Sequence, residues 1–318
     1  MRLTLLALAA STALAGTASA QSVILAHGEN PGNPRYLAAE RFAELVAACS
    51  DMEVQVAPSA TMGDDVEMLT SATAGVINIT ANSQGALAQI VPEIGLIGLP
   101  FLFGDLETAW GVLDGEVGGM LDEGAQAAGL KILAFWDNGI RHVSHLSKAL
   151  PTPADFAGMQ IRTPPDEMSI AIFSALGASP APLAFSELPT ALQSGVFDGQ
   201  ENPLTNIYSA NLHQITPQIT LTGHQSQSTP VVAGMWWWAG LDAAGQECVQ
   251  SAATEAGAYQ RQLSAELQAS LQATMEGEGV TFTEVADRQA FIDATASVYE
   301  SYAGRMPELV AALRDAAQ

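Results

Sequence analysis

Apolar residues in the first part of the chain alternate between short runs and helical faces. Val23-Ile24-Leu25-Ala26 is a continuous run of the length of a buried strand, and His27-Gly28-Glu29-Asn30-Pro31-Gly32 after it reads as a turn. Asn33-Pro34 predicts a helix start, with Asn as the cap and Pro at the first helical position. Ala38, Phe42, Leu45, Val46 and Cys49 then share one helix face. Val54 and Val56 alternate as in a strand. Gly63-Asp64-Asp65 introduces a helix through Leu69 to about Ala74, Gly75 ends it, and Val76-Ile77-Asn78-Ile79-Thr80 predicts the next strand. The order β-α-β-α-β implies right-handed crossovers and a mainly parallel sheet, whose ligands sit at the carboxyl ends of the strands.

The pattern returns 120 residues further on. Glu67–Asn82 laid on Glu187–Asn202 matches at Glu67/Glu187, Thr70/Thr190, Gly75/Gly195, Val76/Val196 and Asn82/Asn202. Read as a repeat, it means two similar lobes, with Asn82 and Asn202 beyond equivalent strands and facing each other; read as chance, it reflects a shared helix-Gly-strand pattern. Further strands are expected at Leu130–Phe135, Met159–Arg162 and Val280–Phe282, with a helix near Asp166–Leu176. Asp242 opens a long helix, Ala243 to about Met275, with Gly245 and Gly257 its weak points, and helices near Asp287–Tyr302 and Pro307–Ala317 close the chain. From Pro203 to Leu241 there is no Asp, Glu, Lys or Arg, yet Asn206, Asn211, Gln214, Gln218, Gln225 and Gln227 keep the run too polar for lipid. It fits buried strands crossing between two lobes.

Composition narrows the class. The 318 residues are 48% hydrophobic and 14% charged, enough for about two folded domains. Asp and Glu number 34 against 11 Lys and Arg, a net charge of −23 that repels phosphate backbones and anionic lipid, so nucleic-acid binding and basic-patch membrane docking are excluded. Met1-Arg2, the apolar run Leu3–Ala10 and Ala18-Ser19-Ala20 read as a secretory leader over residues 1–20, the alternative being a buried N-terminal helix. Export permits a disulfide between Cys49 and Cys248, and their spacing leaves paired and free states equally open. Two cysteines without CxxC spacing give zinc or redox chemistry no support.

Among the few basic residues, most fall on helix surfaces. Arg162 differs, ending a strand in Met159-Gln160-Ile161-Arg162-Thr163-Pro164-Pro165, and Arg141 follows Asn138-Gly139 in a similar strand-to-turn setting. Either guanidinium is a receptor for a carboxylate through its planar fork, or the partner of one of the acidic residues in a structural ion pair. Catalytic templates are missing: no G-x-S-x-G, Walker loop, H-E-x-x-H or G-x-G-x-x-G occurs. His142 and His145 sit on one helix face or in a strand, Asp64-Asp65 reads as helix capping, and Trp236-Trp237-Trp238 as core. Phe185, just before a helix, points toward the space between lobes.

The ordered segments Asp137-Asn138-Gly139-Ile140-Arg141-His142, Pro151-Thr152-Pro153-Ala154-Asp155-Phe156-Ala157-Gly158-Met159-Gln160-Ile161-Arg162-Thr163-Pro164, Leu176 to Leu188 and Asp198-Gly199-Gln200-Glu201-Asn202-Pro203 resemble solute-binding proteins of the tripartite ATP-independent periplasmic (TRAP) transporters, the DctP-like family. Met62-Gly63-Asp64-Asp65, Leu99-Pro100-Phe101 and Thr222-Gly223-His224 extend the resemblance over the mature chain.

The resemblance implies a two-lobed α/β fold of the periplasmic-binding-protein kind, with a hinge and a long helix spanning both lobes. It places residues 21–138 and 228–267 in lobe I and 139–227 and 268–318 in lobe II. It further implies a periplasmic protein that captures a small organic acid and passes it to a membrane permease, with no catalysis, cofactor, metal or stable membrane insertion. Arg162 falls where the family clamps the ligand carboxylate, Arg141 and Asn202 where it is assisted, and Phe185 where an aromatic packs on the ligand. His27, Asn30, Asn82 and Trp136 fall where further contacts are expected. The Arg162-Thr163-Pro164-Pro165 and Trp136-Asp137-Asn138-Gly139 versions look most like members that take sugar acids such as uronates or aldonates, followed by C4-dicarboxylates. Another class is an exported hydrolase using Asp64, Asp65 or Glu201 as an acid/base pair.

Overall fold

The computed structural model describes residues 21–317; the leader expected over residues 1–20 lies outside them. Strand β1 (Gln21–His27), the helix Pro34–Cys49, β2 (Met52–Ala57), the helix Asp65–Thr73 and β3 (Ile79–Ala81) follow in order, and β1 pairs in parallel with both β2 and β3. After β4 (Leu130–His145), the arrangement recurs with β5 (Gln160–Thr163) parallel to β6 (Ser179–Pro182) and β7 (Gly199–Asn202).

Two long strands join the halves. β4 and β8 (Gln218–Gly234), of 16 and 17 residues, run antiparallel to each other with three register shifts. β3 pairs with the end of β8 and β7 with the end of β4, both antiparallel, so the sheet order is β2-β1-β3-β8-β4-β7-β5-β6, with β9 (Thr281–Glu284) alongside the start of β8. Each half of the crossing pair therefore belongs to a different lobe.

The matched segments take the same conformation. Gly75 and Gly195 both have positive φ, +85° and +71°, and the following Val76 and Val196 donate their N–H groups to Ser71 O and Ala191 O at 2.9 and 3.0 Å. Both are Schellman caps, which need a left-handed residue after the helix. That cap also explains why β3 starts at Ile79 and not at Val76: the N–H groups of Val76 and Ile77 are spent on Ser71 O.

β4 outruns its expected end at Phe135 by ten residues. Where the ladder breaks near Asp137, the long helix Ala243–Gly277 replaces it: Gln260 accepts the Asp137 N–H and donates to the Asp137 C=O, both at 2.8 Å. The backbone stays satisfied and the strand continues. Two turns earlier in that helix, Ala253 O accepts from the fully buried Trp136 indole at 2.9 Å. A Cβ at Gly257 would come within 2.8 Å of that ring, so the glycine that weakens the helix is where the helix closes on the indole.

Apolar clusters fill both lobes, and a third is shared. Leu96, Ile97 and Leu99 pack with Phe156, Ile172, Phe173 and, from the last helices, Val298 and Leu313. Tyr299 Oη also donates to Pro100 O at 2.8 Å. Of the three tryptophans, Trp237 is buried, Trp238 partly so, and Trp236 is 49% exposed with its indole donating to Ala72 O.

Cys49, at the end of the first helix, and Cys248, in the long helix, are joined as a disulfide with Cα atoms 5.8 Å apart. The bond closes a sequence separation of 199 residues. Chain-entropy arguments give such a native bond a value of about 2–5 kcal/mol. Cys49→Ser with Cys248→Ser is expected to lower the urea midpoint accordingly while leaving ligand affinity unchanged, since neither residue lines the cleft.

Candidate ligand-binding site

The carboxyl ends of β1 and β3 face those of β5 and β7 across a cleft. About 610 Å3 of atom-free space lies there, part of it open to solvent. Glu29, Arg35 and Asp65 line one wall, Arg162, Phe185 and Asn202 the other, and Asn138, Arg141 and Gln227 of the crossing strands form the floor.

The two arginines singled out by sequence separate into different chemistries. Arg141 is buried and saturated: it donates to both carboxylate oxygens of Glu201, to Glu201 O at 2.8 Å, to Asn202 Oδ1 at 3.0 Å and to Gln227 Oε1 at 2.9 Å. Glu201 lies also 3.2 Å from His224 Nε2. Burial pushes the Glu201 carboxyl up, but Arg141 and His224 outweigh it and hold it below the usual range. The structural ion pair is therefore Arg141's main engagement.

Arg162 is only 1% exposed, yet no carboxylate lies within 4 Å of it among the described residues. Its Nε and Nη2 both donate to Leu183 O, at 2.9 and 2.6 Å. Burial pulls its guanidinium down to about 9, with Arg141 adding to the effect and Glu201 and Asp65 opposing it. The group remains charged at neutral pH. A buried cation without an anion carries an uncompensated desolvation cost, which a carboxylate entering the cleft offsets.

The opposite wall offers acceptors. Asp64 caps its helix through Val66 N and Glu67 N, as its position before the helix suggested. Asp65 Oδ2 accepts from Ser83 N and Oγ at 3.0 and 2.7 Å, while its Oδ1 receives no hydrogen bond among the described residues. Glu29 lies 3.5 Å from Arg35 and accepts from Asn33 Nδ2 at 3.1 Å. Burial raises the Glu29 carboxyl, Arg35 opposing and Asp65 adding.

Other expected contacts lie elsewhere. His27 is fully buried at the end of β1, kept neutral by burial and Arg35, which pull it down to about 3; its Nδ1 accepts Glu29 N–H and its ring meets Tyr36 edge-on. Asn82 Nδ2 donates to the backbone carbonyl of Asp65 and so ties the end of β3 to the start of the helix Asp65–Thr73. Asn30 holds the turn, its carbonyl accepting Asn33 N–H. None of these three is a cleft-lining residue. Trp136 needs correction: its side chain faces the long helix, where Gly257 leaves room for it, and not the cleft.

Arg35 also departs from its expected place on a helix surface. It stands in the first turn of the helix, but that end points into the cleft, so the residue is 3% exposed and donates to Asn138 Oδ1 at 3.0 Å. Glu29 lacked a pairing signal, although its place just after β1 is where parallel sheets hold ligands. His142 and His145 lie in β4, each accepting backbone N–H groups with Nδ1.

Asp137 adds a titrating group behind the floor. Its Oδ1 accepts from Gly139 N at 3.0 Å and Trp110 Nε1 at 3.4 Å, and its Oδ2 has no partner. Burial pushes its carboxyl up to about 6 despite these donors, Ser264 and Arg261. A carboxyl with a folded pKa above its unfolded value of about 3.9 holds its proton more tightly when folded, so its stability contribution falls as pH rises from about 4 to about 6. Asp137→Asn is expected to gain on the wild type through that window, by up to about 3 kcal/mol from a shift of about two units, in urea midpoints taken on either side of it.

The fold and cleft define a two-lobed solute-binding protein with a buried arginine, Arg162, lining the cleft. Residues 25–305 match bacterial extracellular solute-binding protein family 7 (DctP), and the chain belongs to that family; it is a binding protein of TRAP transporters and not an enzyme. It is 34% identical over 278 residues to the 2,3-diketo-L-gulonate-binding periplasmic protein YiaO of Escherichia coli K12, covering 87% of this chain and 85% of the relative. It is 47% identical over 283 residues to the uncharacterized protein y4mM of Sinorhizobium fredii, covering 88% of this chain but 52% of the relative, so the chain spans about half the length of that protein. The sugar acid binding protein DctPAm of Advenella mimigardefordensis, solved with galactonate, is similar at a TM-score of 0.91 and 29% identity, covering 94% of this chain and 98% of that one. No helix among the described residues is long and apolar enough to cross a membrane.

Proposed function

We propose that the protein captures a polyhydroxy monocarboxylate, a sugar acid of the uronate or aldonate kind, and delivers it to the membrane permease of a TRAP transporter. The observation that carries this reading is the pairing of walls: a buried Arg162 without a carboxylate partner on one side, and the carboxylates of Glu29 and Asp65 on the other. An anionic head satisfies the first wall, and hydroxyl donors satisfy the second. A C4-dicarboxylate would bring its second charge against Asp65, which has no cationic partner among the described residues, and beside a Glu29 that already occupies Arg35, which costs affinity.

In this reading Arg162 grips the carboxylate, Arg141 holds Asn202 toward the same group, and Phe185 covers the sugar face. Asp65 Oδ1 accepts a hydroxyl, with Asn82 and His27 supporting that wall. The 2,3-diketo-L-gulonate named for the Escherichia coli relative and the galactonate held by the Advenella protein are both sugar acids, which supports the assignment. Closure is a rotation of lobe I, residues 21–138 and 228–267, on lobe II, residues 139–227 and 268–318, and residues 1–20 are the leader that exports the chain to the periplasm.

Thermal denaturation of the mature protein against uronates, aldonates and C4-dicarboxylates tests the reading. A cognate acid at about 100 times its Kd adds about 2.7 kcal/mol to stability. A sugar acid is expected to give the largest rise in Tm; a larger rise with succinate or malate would overturn the ligand class.

A further inference from the structure

We propose that Gln89 and Ser209 are positioning residues that latch the two lobes shut over the ligand, one on each side of the cleft, related by the internal repeat. Gln89 caps the short helix Gln84–Ala88 that follows β3, and its Nε2 donates to Pro165 O, beyond β5 of the other lobe, at 2.7 Å. Ser209 ends the helix Leu204–Ser209 that follows β7, and its Oγ lies 3.3 Å from Asn33 Nδ2, beyond β1 of the other lobe, sharing the two N–H groups of that amide with Glu29 and Asn206. The 120-residue offset that superposes Asn82 on Asn202 also superposes Gln89 on Ser209. In both contacts, the helix after an inner strand of one lobe touches the segment after the central strand of the other.

The Asn33 side has a second tie, Nδ2 to Asn206 Oδ1 at 3.0 Å, and Asn206 passes it on to Asn138 at 3.1 Å. Asn206 lines the cleft, whereas Gln89, Ser209 and Asn33 do not. A change at Gln89 or Ser209 therefore acts on the closed state without touching ligand. A contact made only when the lobes are shut slows release and leaves encounter alone.

The inference rests on the binding function proposed above. Its test is stopped-flow kinetics with the acid selected by the thermal screen, on Gln89→Ala, Ser209→Ala and the pair. A net hydrogen bond of ordinary strength corresponds to about two- to fivefold in koff for each variant, and about tenfold for the pair, with kon within about twofold and the ligand-free Tm unchanged. Ser209→Thr, which keeps the hydroxyl, restores the wild-type koff, and Gln89→Glu, which sets an acceptor against Pro165 O, behaves like the alanine variant. A koff within about twofold of wild type in the pair would overturn the latch.

Spin labels at Glu53→Cys and Gln193→Cys, one exposed site on each lobe, separate this failure from that of the function. The closed population falls in the paired variant if the latch is right, whichever acid binds. An unchanged distance distribution overturns the latch even where binding stands, and a shifted one upholds it even where no acid binds.

Discussion

Arg162→Ala loses the acid. Truncating one member of a buried, hydrogen-bonded charge pair costs about 2–5 kcal/mol, so isothermal titration should show affinity reduced by a factor of about 30 to 5,000. The variant itself should fold, because what it removes is a buried cation that the protein leaves without a carboxylate. Arg162→Lys recovers little, since an ammonium cannot donate in parallel to a carboxylate while also holding Leu183 O. Loss of binding together with intact folding distinguishes a ligand anchor from a structural arginine.

Glu201→Ala gives the opposite outcome, a folding defect of about 3–5 kcal/mol, because it leaves Arg141 buried and uncompensated. The sign with pH follows from the depressed Glu201 carboxyl: its stabilisation is complete above its unfolded pKa and disappears as pH falls through the lower folded value. Urea midpoints of wild type and variant should therefore stay apart at neutral pH and converge only in acid. Equal midpoints at neutral pH would mean that the Arg141–Glu201 pair does not hold the floor of the cleft.

These two arginines mark how far the residue pattern alone could reach. Arg162 was readable as a carboxylate receptor or an ion-pair partner from its place at a strand end before Pro164-Pro165, and Arg141 likewise from a similar place after Gly139. Which of them is ion-paired was not readable, because Glu201 stands 60 residues from Arg141 and meets it only through the register of β4 on β7. The same limit hid Glu29 and Arg35, whose pairing depends on how the first helix enters the cleft.

Local signals fared best where they close on themselves. Asn33, Asp64, Asp166 and Asp242 each cap the helix that their position announced, since a cap needs only its own next few residues. β4 was cut short in expectation because Asp137-Asn138-Gly139 carries turn residues; the strand persists through a long-range amide, Gln260, that no local pattern contains. Trp136 went astray for the same reason, its ring being claimed by Gly257 across the fold.

The central claim is that one cationic wall reads a carboxylate and one acidic wall reads hydroxyls. Titration calorimetry of the mature wild-type protein with hexuronates and hexonates, each beside its neutral parent sugar or alditol, tests it most directly. The account predicts tight binding of at least one acid and binding of its neutral parent weaker by a factor of about 1,000 or more, the share of a desolvated charge pair. A neutral sugar bound as tightly as its acid would contradict it.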